Sequence, residues 1–244
     1  MSVVLEGLIG AGKSTLGAAL AQRRDMVLAP ETVNAMFLER FYSDPDKYSF
    51  PFQLYMLCDR LRKASTAGPQ TLQDRSVFGD WMFAMVAREL GKIDDEQYAI
   101  YSSVLREAPH VIGKVLYVHS TPARCLENIH RRGRPSEQCI GLDYLRLLQK
   151  TYFHQLMLWV GTRELEPFLG PSPCLVVVDA REAFPDPEAA SALLDSGARA
   201  QVTFVSRLDA AVDVQAATHF WWPCTRITDA LEALQRGDPV TFVR

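Results

Sequence analysis

The stretch "SVVLEGLIGAGKSTLGAALAQRR", residues 2–24, decides the fold of this chain. It begins with a short apolar run of the kind that forms a buried parallel strand. A glycine-rich turn follows, and the next residues place Leu16, Ala19 and Leu20 at helical spacing. Strand, glycine-rich turn and helix form the context in which the pattern G-x-x-x-x-G-K-S is a phosphate-binding loop.

Such a loop brings backbone N–H groups close to the phosphates of a nucleotide. The amine of Lys13 is predicted to neutralise the β- and γ-phosphate oxygens, and the hydroxyl of Ser14 is a predicted ligand of Mg²⁺. The alternative is a glycine-rich turn with a chance lysine, which the flanking strand and helix disfavour. The predicted ATP-binding residues of the loop are Gly7, Gly10, Ala11, Gly12, Lys13, Ser14 and Thr15.

Composition narrows the class of protein. The chain has 244 residues, 48% of them apolar, and a formal net charge of -3, so it can bury a sizeable core and has no basic field for nucleic acid. Its five cysteines include no C-x-x-C pair, which favours a reduced, intracellular protein. No apolar run is long enough to span a membrane, and no targeting segment is recognisable. We therefore expect a cytoplasmic protein, with the nucleus as a compatible second compartment.

Four more apolar runs follow the first and alternate with helical segments: "DMVLAPE", "TLQD", "KVLYVHS" and "CLVVVDA". This alternation predicts an α/β fold with a mainly parallel, five-stranded sheet. Because ligands collect at the carboxyl ends of parallel strands, Glu31, Asp74 and Arg75 are expected beside the glycine-rich loop. We predict a catalytic domain over residues 1–195 and an extension of unknown role over 196–244, in which "QVTFVSRLD" could form one more strand.

Each of these charged groups also has a structural interpretation. Glu31 could stabilise a helix N-terminus, and Asp74 with Arg75 could form a surface ion pair. An arginine beside a carboxylate at a strand end also suits a transferring phosphoryl group. The segment "RRGRPSE" at 131–137 could be a solvated charged loop, but its glycine and proline favour a lid over 131–138 that closes on phosphates.

Five motifs, in order, carry a resemblance to a known family: "EGLIGAGKST", "PETV", "FPFQLYMLCDR", "DRSVFGD" and "RRGRPSEQ". From about Val3 to Phe184 the chain resembles the deoxyribonucleoside kinases, and within them the deoxycytidine and deoxyguanosine kinase branch. The resemblance implies a three-layer P-loop kinase fold with an arginine-rich lid. It also implies ATP and Mg²⁺ as cofactors, transfer to the sugar 5′-hydroxyl, and a homodimer.

The resemblance implies a role for individual residues as well. Glu31 would be the general base for the 5′-hydroxyl, Arg75 would steady Glu31 and the reacting oxygens, and Asp74 would stand near Mg²⁺. The remaining implied contacts divide between the two substrates: Gln53 to the base, Tyr42 and Glu137 to the sugar 3′-hydroxyl, Arg132 and Arg134 to the donor phosphates, and Phe184 to the donor adenine.

Two charged positions bear on the choice of base. Arg60 follows Gln53 by two helical turns, and Asp80 follows Arg75 by five residues. In the resembling branch this Arg–Asp pair helps to recognise cytosine or a purine, which favours deoxycytidine or a purine deoxynucleoside over thymidine; a structural salt bridge is the alternative. Met36 and Ala84 replace the aromatic residues that relatives often carry, and we expect them to enlarge the base pocket.

Three other functions compete with a nucleoside kinase. A hydrolysing switch or motor would need a water-positioning group, and none is evident. A nucleoside monophosphate kinase such as a thymidylate kinase shares the loop and the lid, but it needs a cation for the acceptor phosphate, and this chain has Pro30 where those kinases tend to have arginine. A non-catalytic nucleotide-binding module would not need Glu31, Arg75 and the lid arginines together. A sugar hydroxyl, in contrast, benefits from a nearby carboxylate.

Overall fold

The computed structural model describes residues 2–107, 112–159, 165, 174–180, 187–194 and 202–205. In this part of the chain six strands form one sheet in the order β2-β3-β1-β4-β5-β6, and every neighbouring pair is parallel. Five strands match the five predicted runs, and the sixth comes from "QVTFVSRLD" after residue 195. The strands are β1 (Ser2–Gly7), β2 (Val27–Ala29), β3 (Thr71–Asp74), β4 (Ile112–His119), β5 (Cys174–Asp179) and β6 (Val202–Val205).

Helices connect the strands, as a parallel sheet requires. A short 3₁₀ helix, Pro135–Glu137, lies in the predicted lid. None of the helices in the described ranges is both long and apolar enough to cross a membrane. The helices are α1 (Lys13–Arg24), α2 (Ala35–Ser43), α3 (Pro45–Thr66), α4 (Val77–Glu89), α5 (Asp95–Glu107), α6 (Pro122–Arg132), α7 (Leu142–Met157) and α8 (Pro187–Leu194).

Neighbouring residues of β1 show that helices cover both faces of the sheet. A side chain at Gly17 of α1 would collide with Leu5, so α1 packs directly on the face to which Leu5 points. The next residue, Glu6, points to the opposite face, where it contacts Ser76 at the start of α4 and Tyr152 of α7. The predicted three layers are therefore present, and all eight residues of β4 are buried between the helical layers.

Aromatic side chains fill the layer between the sheet and α7. The ring of Phe78 lies 4.9 Å from that of Trp159 and 6.0 Å from that of Tyr152, and Tyr117 of β4 lies 5.5 Å from Tyr152. All four side chains are less than 2% exposed. Since burying one large apolar side chain stabilises a fold by roughly 1.5–3 kcal/mol, this cluster makes a firm base beneath the edge where the loop lies.

Candidate active site

The glycine-rich loop has a backbone that only glycine tolerates at three positions. Gly7, Gly10 and Gly12 have φ angles of 138°, 80° and 95°, in the region that side chains disfavour. A Cβ atom would also lie 2.5 Å from the Val118 carbonyl oxygen at Gly7 and 2.4 Å from that of Cys125 at Gly10. Helix α1 begins at Lys13 with no side chain capping its N-terminus. Its first N–H groups are therefore available to an anion.

A cavity of about 280 Å³ lies over this loop, between residues 10–15 and one face of α6. Asn128 joins the two sides, since its Nδ2 donates a hydrogen bond of 2.8 Å to the Gly10 carbonyl oxygen. Of the lid arginines predicted to bind phosphates, Arg131 and Arg132 line this cavity, whereas Arg134 is not among its described lining residues; Arg124, which was not predicted, lines it as well. The i, i+4, i+7 spacing of Arg124, Asn128 and Arg131 on one helix face is the sequence signal for them. The cavity is positively charged and suits a polyphosphate.

Lys13 is held beneath the loop rather than extended into solvent. Its side chain is 5% exposed, and Nζ donates a hydrogen bond of 2.7 Å to the Leu8 carbonyl oxygen. Burial and the charge of Arg75 lower the pKa of Lys13 to about 8, although Asp74 and Glu31 act in the opposite direction. An amine with this pKa is mostly protonated at neutral pH, and a nearby anion favours its charged form further.

The two predicted magnesium ligands contact each other. The Oγ of Ser14 donates a hydrogen bond of 2.6 Å to Oδ2 of Asp74. The other carboxylate oxygen, Oδ1, is buried and has no hydrogen-bond partner among the described residues. A buried oxygen without a partner beside a hydroxyl fits Mg²⁺, which prefers oxygen ligands and takes few of them from the protein.

Arg75 lies at the centre of the site and is conformationally strained. It follows β3 with a φ of 70°, which is rare for a residue with a side chain and costs of order 1–3 kcal/mol. Its Nη1 donates to the Gly7 carbonyl oxygen at 2.9 Å and to the Tyr152 hydroxyl at 3.0 Å, while its Nε lies 3.3 Å from Oε1 of Glu31. Its guanidinium also lies 4.8 Å from the centre of the Phe83 ring.

Glu31 is brought to this edge after β2, where two arginines contact one of its oxygens. Oε1 lies 2.9 Å from Nη2 of Arg60 and 3.3 Å from Nε of Arg75. Within the described ranges Oε2 has no hydrogen-bond partner, and the side chain is 30% exposed. Burial raises the pKa of Glu31, but Arg75, Arg60 and Lys13 outweigh this effect and lower it to about 2. The group is therefore a carboxylate with one oxygen that accepts no hydrogen bond from the described residues.

Arg60 contacts two carboxylates, which the sequence reasoning did not foresee. Its Nε donates a hydrogen bond of 3.0 Å to Oδ1 of Asp80, and Nη2 reaches Glu31. The second oxygen of Asp80 accepts a hydrogen bond of 2.7 Å from the hydroxyl of Tyr101. Burial raises the pKa of Asp80, and Arg60 and Tyr101 partly counter that shift. The predicted Arg60–Asp80 pair is present. Through Arg60, the residues predicted to recognise the nucleobase are linked to Glu31, the predicted general base.

The residues predicted to face the nucleobase occupy different environments. Gln53 is 5% exposed, and no hydrogen bond to its amide is found within the described ranges, so the amide can pair with a ligand. Met36 is 51% exposed on α2. Ala84, in contrast, is fully buried in the core, while the neighbouring Phe83 packs against Arg75. The prediction that Ala84 opens the base pocket therefore has no support from its position.

The lid arginines contact the glutamate that was assigned to the sugar. Glu137 is 7% exposed; it accepts a hydrogen bond of 3.0 Å from Nε of Arg132, and Nη1 of Arg134 lies 3.3 Å away. Tyr42 belongs to the same neighbourhood: burial raises its pKa, and the nearby Tyr144, Cys139 and Glu137 add to that shift. The structure thus brings the predicted sugar-binding and phosphate-binding residues together. Phe184, predicted beside the donor adenine, lies outside the described residues.

Sequence reasoning missed three buried residues that support the site. Glu6 and Tyr152 lie behind Arg75, and Tyr101 lies behind Asp80. Only Glu6 carries a signal in the sequence, as a charged residue inside an otherwise apolar strand directly before the loop. The two tyrosines belong to helices whose pattern is that of ordinary core packing.

Comparisons with known proteins find matches in one family. A family model described as "Deoxynucleoside kinase" matches residues 3–192. A deoxyadenosine kinase of Dictyostelium discoideum is 31% identical over 157 residues, which cover 62% of this chain and 64% of that protein, slightly under two thirds of its length. A deoxycytidine kinase of Mus musculus is 30% identical over 227 residues, covering 75% of this chain and 85% of that one. A solved deoxyadenosine kinase from M. mycoides with bound dCTP superposes with a TM-score of 0.65 at 25% identity, covering 80% of this chain and 96% of that one.

Proposed function

Because this chain belongs to the deoxynucleoside kinase family, we propose that it transfers the γ-phosphoryl group of ATP to the 5′-hydroxyl of a deoxynucleoside. One observation supports this proposal most strongly. Glu31 lies at the same edge of the sheet as the phosphate-binding loop. Its Oε1 contacts two arginines, and its Oε2 has no hydrogen-bond partner among the described residues. A carboxylate oxygen in that position can accept the proton of a hydroxyl acceptor.

The reaction is a direct transfer between two oxygens. The 5′-oxygen forms a bond to the γ-phosphorus, the bond from that phosphorus to the bridging oxygen breaks, and ADP leaves with the bonding electrons. The proton of the 5′-hydroxyl passes to Oε2 of Glu31. Because the pKa of Glu31 is about 2, the carboxylate is ionised at neutral pH, and we expect it to accept the proton late, once the new bond has reduced the pKa of the hydroxyl.

The loop and the arginines supply most of the rate enhancement through position and charge. The N–H groups of the loop and the amine of Lys13 hold the donor phosphates, and Arg75 offers charge to the reacting oxygens from a fixed orientation. Arg132 is placed to reach the same phosphates from the lid side of the cavity. Ser14 and Asp74 would hold Mg²⁺, whose chemistry there is to neutralise charge on the phosphates.

For the acceptor we propose deoxycytidine or a purine deoxynucleoside. Gln53 presents an amide with both a donor and an acceptor. Arg60 lies on the same face of α3 as Gln53, and the buried Asp80 of α4 pairs with Arg60. A desolvated ion pair discriminates between bases because an unmatched polar edge would leave a buried group without a partner. The deoxyadenosine and deoxycytidine kinases among the similar proteins support this choice of base.

A nucleoside monophosphate kinase is the competing function. Its acceptor is already an anion, so it needs a cation near the acceptor and no base. In this chain both arginines close to Glu31 contact that carboxylate, and the residue before Glu31 is Pro30. These contacts favour a neutral hydroxyl acceptor over a phosphate.

The test is ADP release from Mg-ATP with six acceptors side by side: thymidine, deoxycytidine, deoxyadenosine, deoxyguanosine, dTMP, and the 5′-deoxy analogue of whichever nucleoside reacts best. We expect turnover with deoxycytidine or a purine deoxynucleoside and none with its 5′-deoxy analogue. Turnover with dTMP alone would identify a monophosphate kinase, and ADP release independent of any acceptor would identify a hydrolase.

A further inference from the structure

Glu6 is a fully buried carboxylate to which the proposed reaction assigns no role. It is the penultimate residue of β1, directly before Gly7 of the loop, and is 0% exposed. Its Oε1 accepts hydrogen bonds from the backbone N and the Oγ of Ser76, at 2.8 and 2.6 Å, and from the Gly79 backbone N at 3.2 Å. A Cβ atom at Gly79 would lie 2.1 Å from the carboxylate, so α4 approaches Glu6 this closely only because residue 79 has no side chain.

The second oxygen of Glu6 faces the site. Oε2 accepts a hydrogen bond of 2.9 Å from the hydroxyl of Tyr152, and that hydroxyl accepts one of 3.0 Å from Nη1 of Arg75. A tyrosine hydroxyl has a single hydrogen, and donating it to Glu6 leaves lone pairs for the arginine. Arg75 can only donate and the Glu6 carboxylate can only accept. The Tyr152 hydroxyl between them therefore accepts from Arg75 and donates to Glu6.

Arg75 needs such support because its backbone is strained. Its φ of 70° is unfavourable for a residue with a side chain. From this backbone position the side chain must still reach Glu31 across the end of β3. Nη1 is held by two acceptors, the Gly7 carbonyl oxygen and the Tyr152 hydroxyl. Removing the hydroxyl leaves one of them and frees the guanidinium to turn about its remaining contacts.

We propose that Tyr152, oriented by Glu6, is a positioning residue that fixes the Arg75 guanidinium against Oε1 of Glu31, and that turnover depends on it. The inference rests on the proposed kinase activity. Tyr152 is fully buried and acts on the reaction only through Arg75. A hydrogen bond to a charged group in a buried site is strong enough for its loss to change a rate by about tenfold.

The competing interpretation is that Glu6 and Tyr152 serve stability alone. Glu6 does hold the first turn of α4, where a carboxylate stabilises the N-terminal end of a helix. That function uses Oε1, whereas the link to Arg75 uses Oε2. Tyr152→Phe therefore removes the link to Arg75 and leaves the contacts to α4 in place.

Tyr117 provides a matched control in the same aromatic cluster. It is also fully buried, its ring lies 5.5 Å from that of Tyr152, and its hydroxyl has no hydrogen-bond partner within the described part of the chain. We expect Tyr152→Phe to lower kcat about tenfold with KM for both substrates within twofold of wild type. Tyr117→Phe should leave kcat within twofold. If Tyr152→Phe also stays within twofold, the proposal is wrong; an inactive wild type would instead refute the proposed function.

A double-mutant cycle with Arg75→Lys separates positioning from stability. Lysine keeps the charge but cannot contact the Tyr152 hydroxyl and Glu31 with one planar group. In the Arg75→Lys background we expect Tyr152→Phe to change kcat by less than twofold; an undiminished tenfold loss there would overturn the proposal. Should Tyr152→Phe not fold, Glu6→Gln is measured in the same cycle with the same expected pattern. Loss of the folded state in both variants would assign the pair to stability and likewise overturn the proposal.

Discussion

Two sets of ion pairs surround the candidate site, and they differ in burial rather than in chemistry. The first set, Glu31, Arg60 and Asp80, is called the acceptor network here; Arg60 and Asp80 are 6% and 1% exposed, and only Glu31, at 30%, is open to the site. In the lid, Arg132 and Arg134 are 35% and 61% exposed, although both pair with the buried Glu137. Breaking a buried pair by removing one partner costs about 3–5 kcal/mol, whereas an exposed pair contributes about 0–1 kcal/mol. We therefore expect the buried pair to keep its arrangement when substrates bind, and the lid arginines to exchange Glu137 for phosphates.

The largest effect is expected at the carboxylate where the acceptor network meets the reaction. Glu31→Gln keeps the size of the side chain and removes the base, so turnover should fall by about 10²–10⁴-fold. Nucleoside affinity, measured by calorimetry, should stay within a few fold of wild type, since binding uses Gln53 and Arg60 as well. Glu39→Gln on the exposed face of α2 makes the same chemical change and should leave turnover unchanged. Equal turnover rates for wild type and Glu31→Gln would show that Glu31 is not the general base.

The contrast in burial predicts a contrast in stability. Asp80→Asn leaves the buried Arg60 with a single carboxylate and should lower the free energy of unfolding by about 3 kcal/mol. Asp143→Asn makes the same substitution at a carboxylate that is 94% exposed and pairs with Arg146. It should change the free energy of unfolding by less than about 0.5 kcal/mol. Urea denaturation of both variants measures the difference. Similar losses in the two would show that burial does not distinguish these pairs.

The lid should affect kinetics more than stability. Arg132→Gln removes a charge at the donor cavity, so KM for ATP should rise by about tenfold, the scale of one charge-assisted hydrogen bond. Its melting temperature should fall much less than that of Asp80→Asn, because Arg134 still contacts Glu137. Arg146→Gln, at an exposed arginine that also pairs with a carboxylate, serves as the control and should change neither quantity. A large loss of stability in Arg132→Gln would show that the lid is as fixed as the acceptor network.

The smallest effect concerns pH and Lys13. Its pKa of about 8 in the free protein must rise when phosphates bind, so binding takes up a proton at alkaline pH. ATP affinity should therefore be constant below that pKa and fall as the pH rises through it, by about fivefold between pH 8 and pH 9. Lys13→Arg keeps its charge over this range and should show weaker binding without the slope. A wild-type affinity that stays flat to pH 9.5 would contradict the lowered pKa.

The sequence predicts those features that depend on residues close together in the chain. The loop, the parallel sheet and the assembly of Glu31, Asp74 and Arg75 at one edge follow from local patterns and from the rule that parallel strands end together. The two contacts of Arg60 do not, because they depend on side-chain reach between α3, α4 and the segment after β2.

The same limit explains the other differences. Tyr152 is separated from Glu6 by 146 positions, and its spacing on α7 is that of a core residue. Ala84 was expected beside the base, but the packing of α4 turns it into the core and directs Phe83 to Arg75. The contacts of Glu137 with Arg132 and Arg134 depend on how the lid backbone turns between them, which the motif does not specify.

The most direct test of the central claim is the identity of the product. Mg-ATP and the preferred deoxynucleoside are incubated with the enzyme, and ³¹P NMR with proton coupling follows the transferred group. Direct transfer of the γ-phosphoryl group to the 5′-oxygen predicts a phosphomonoester coupled to the two 5′-protons, formed in equal amount with ADP. Inorganic phosphate with no phosphomonoester, or a new diphosphate formed only when a nucleoside monophosphate is supplied, would contradict it.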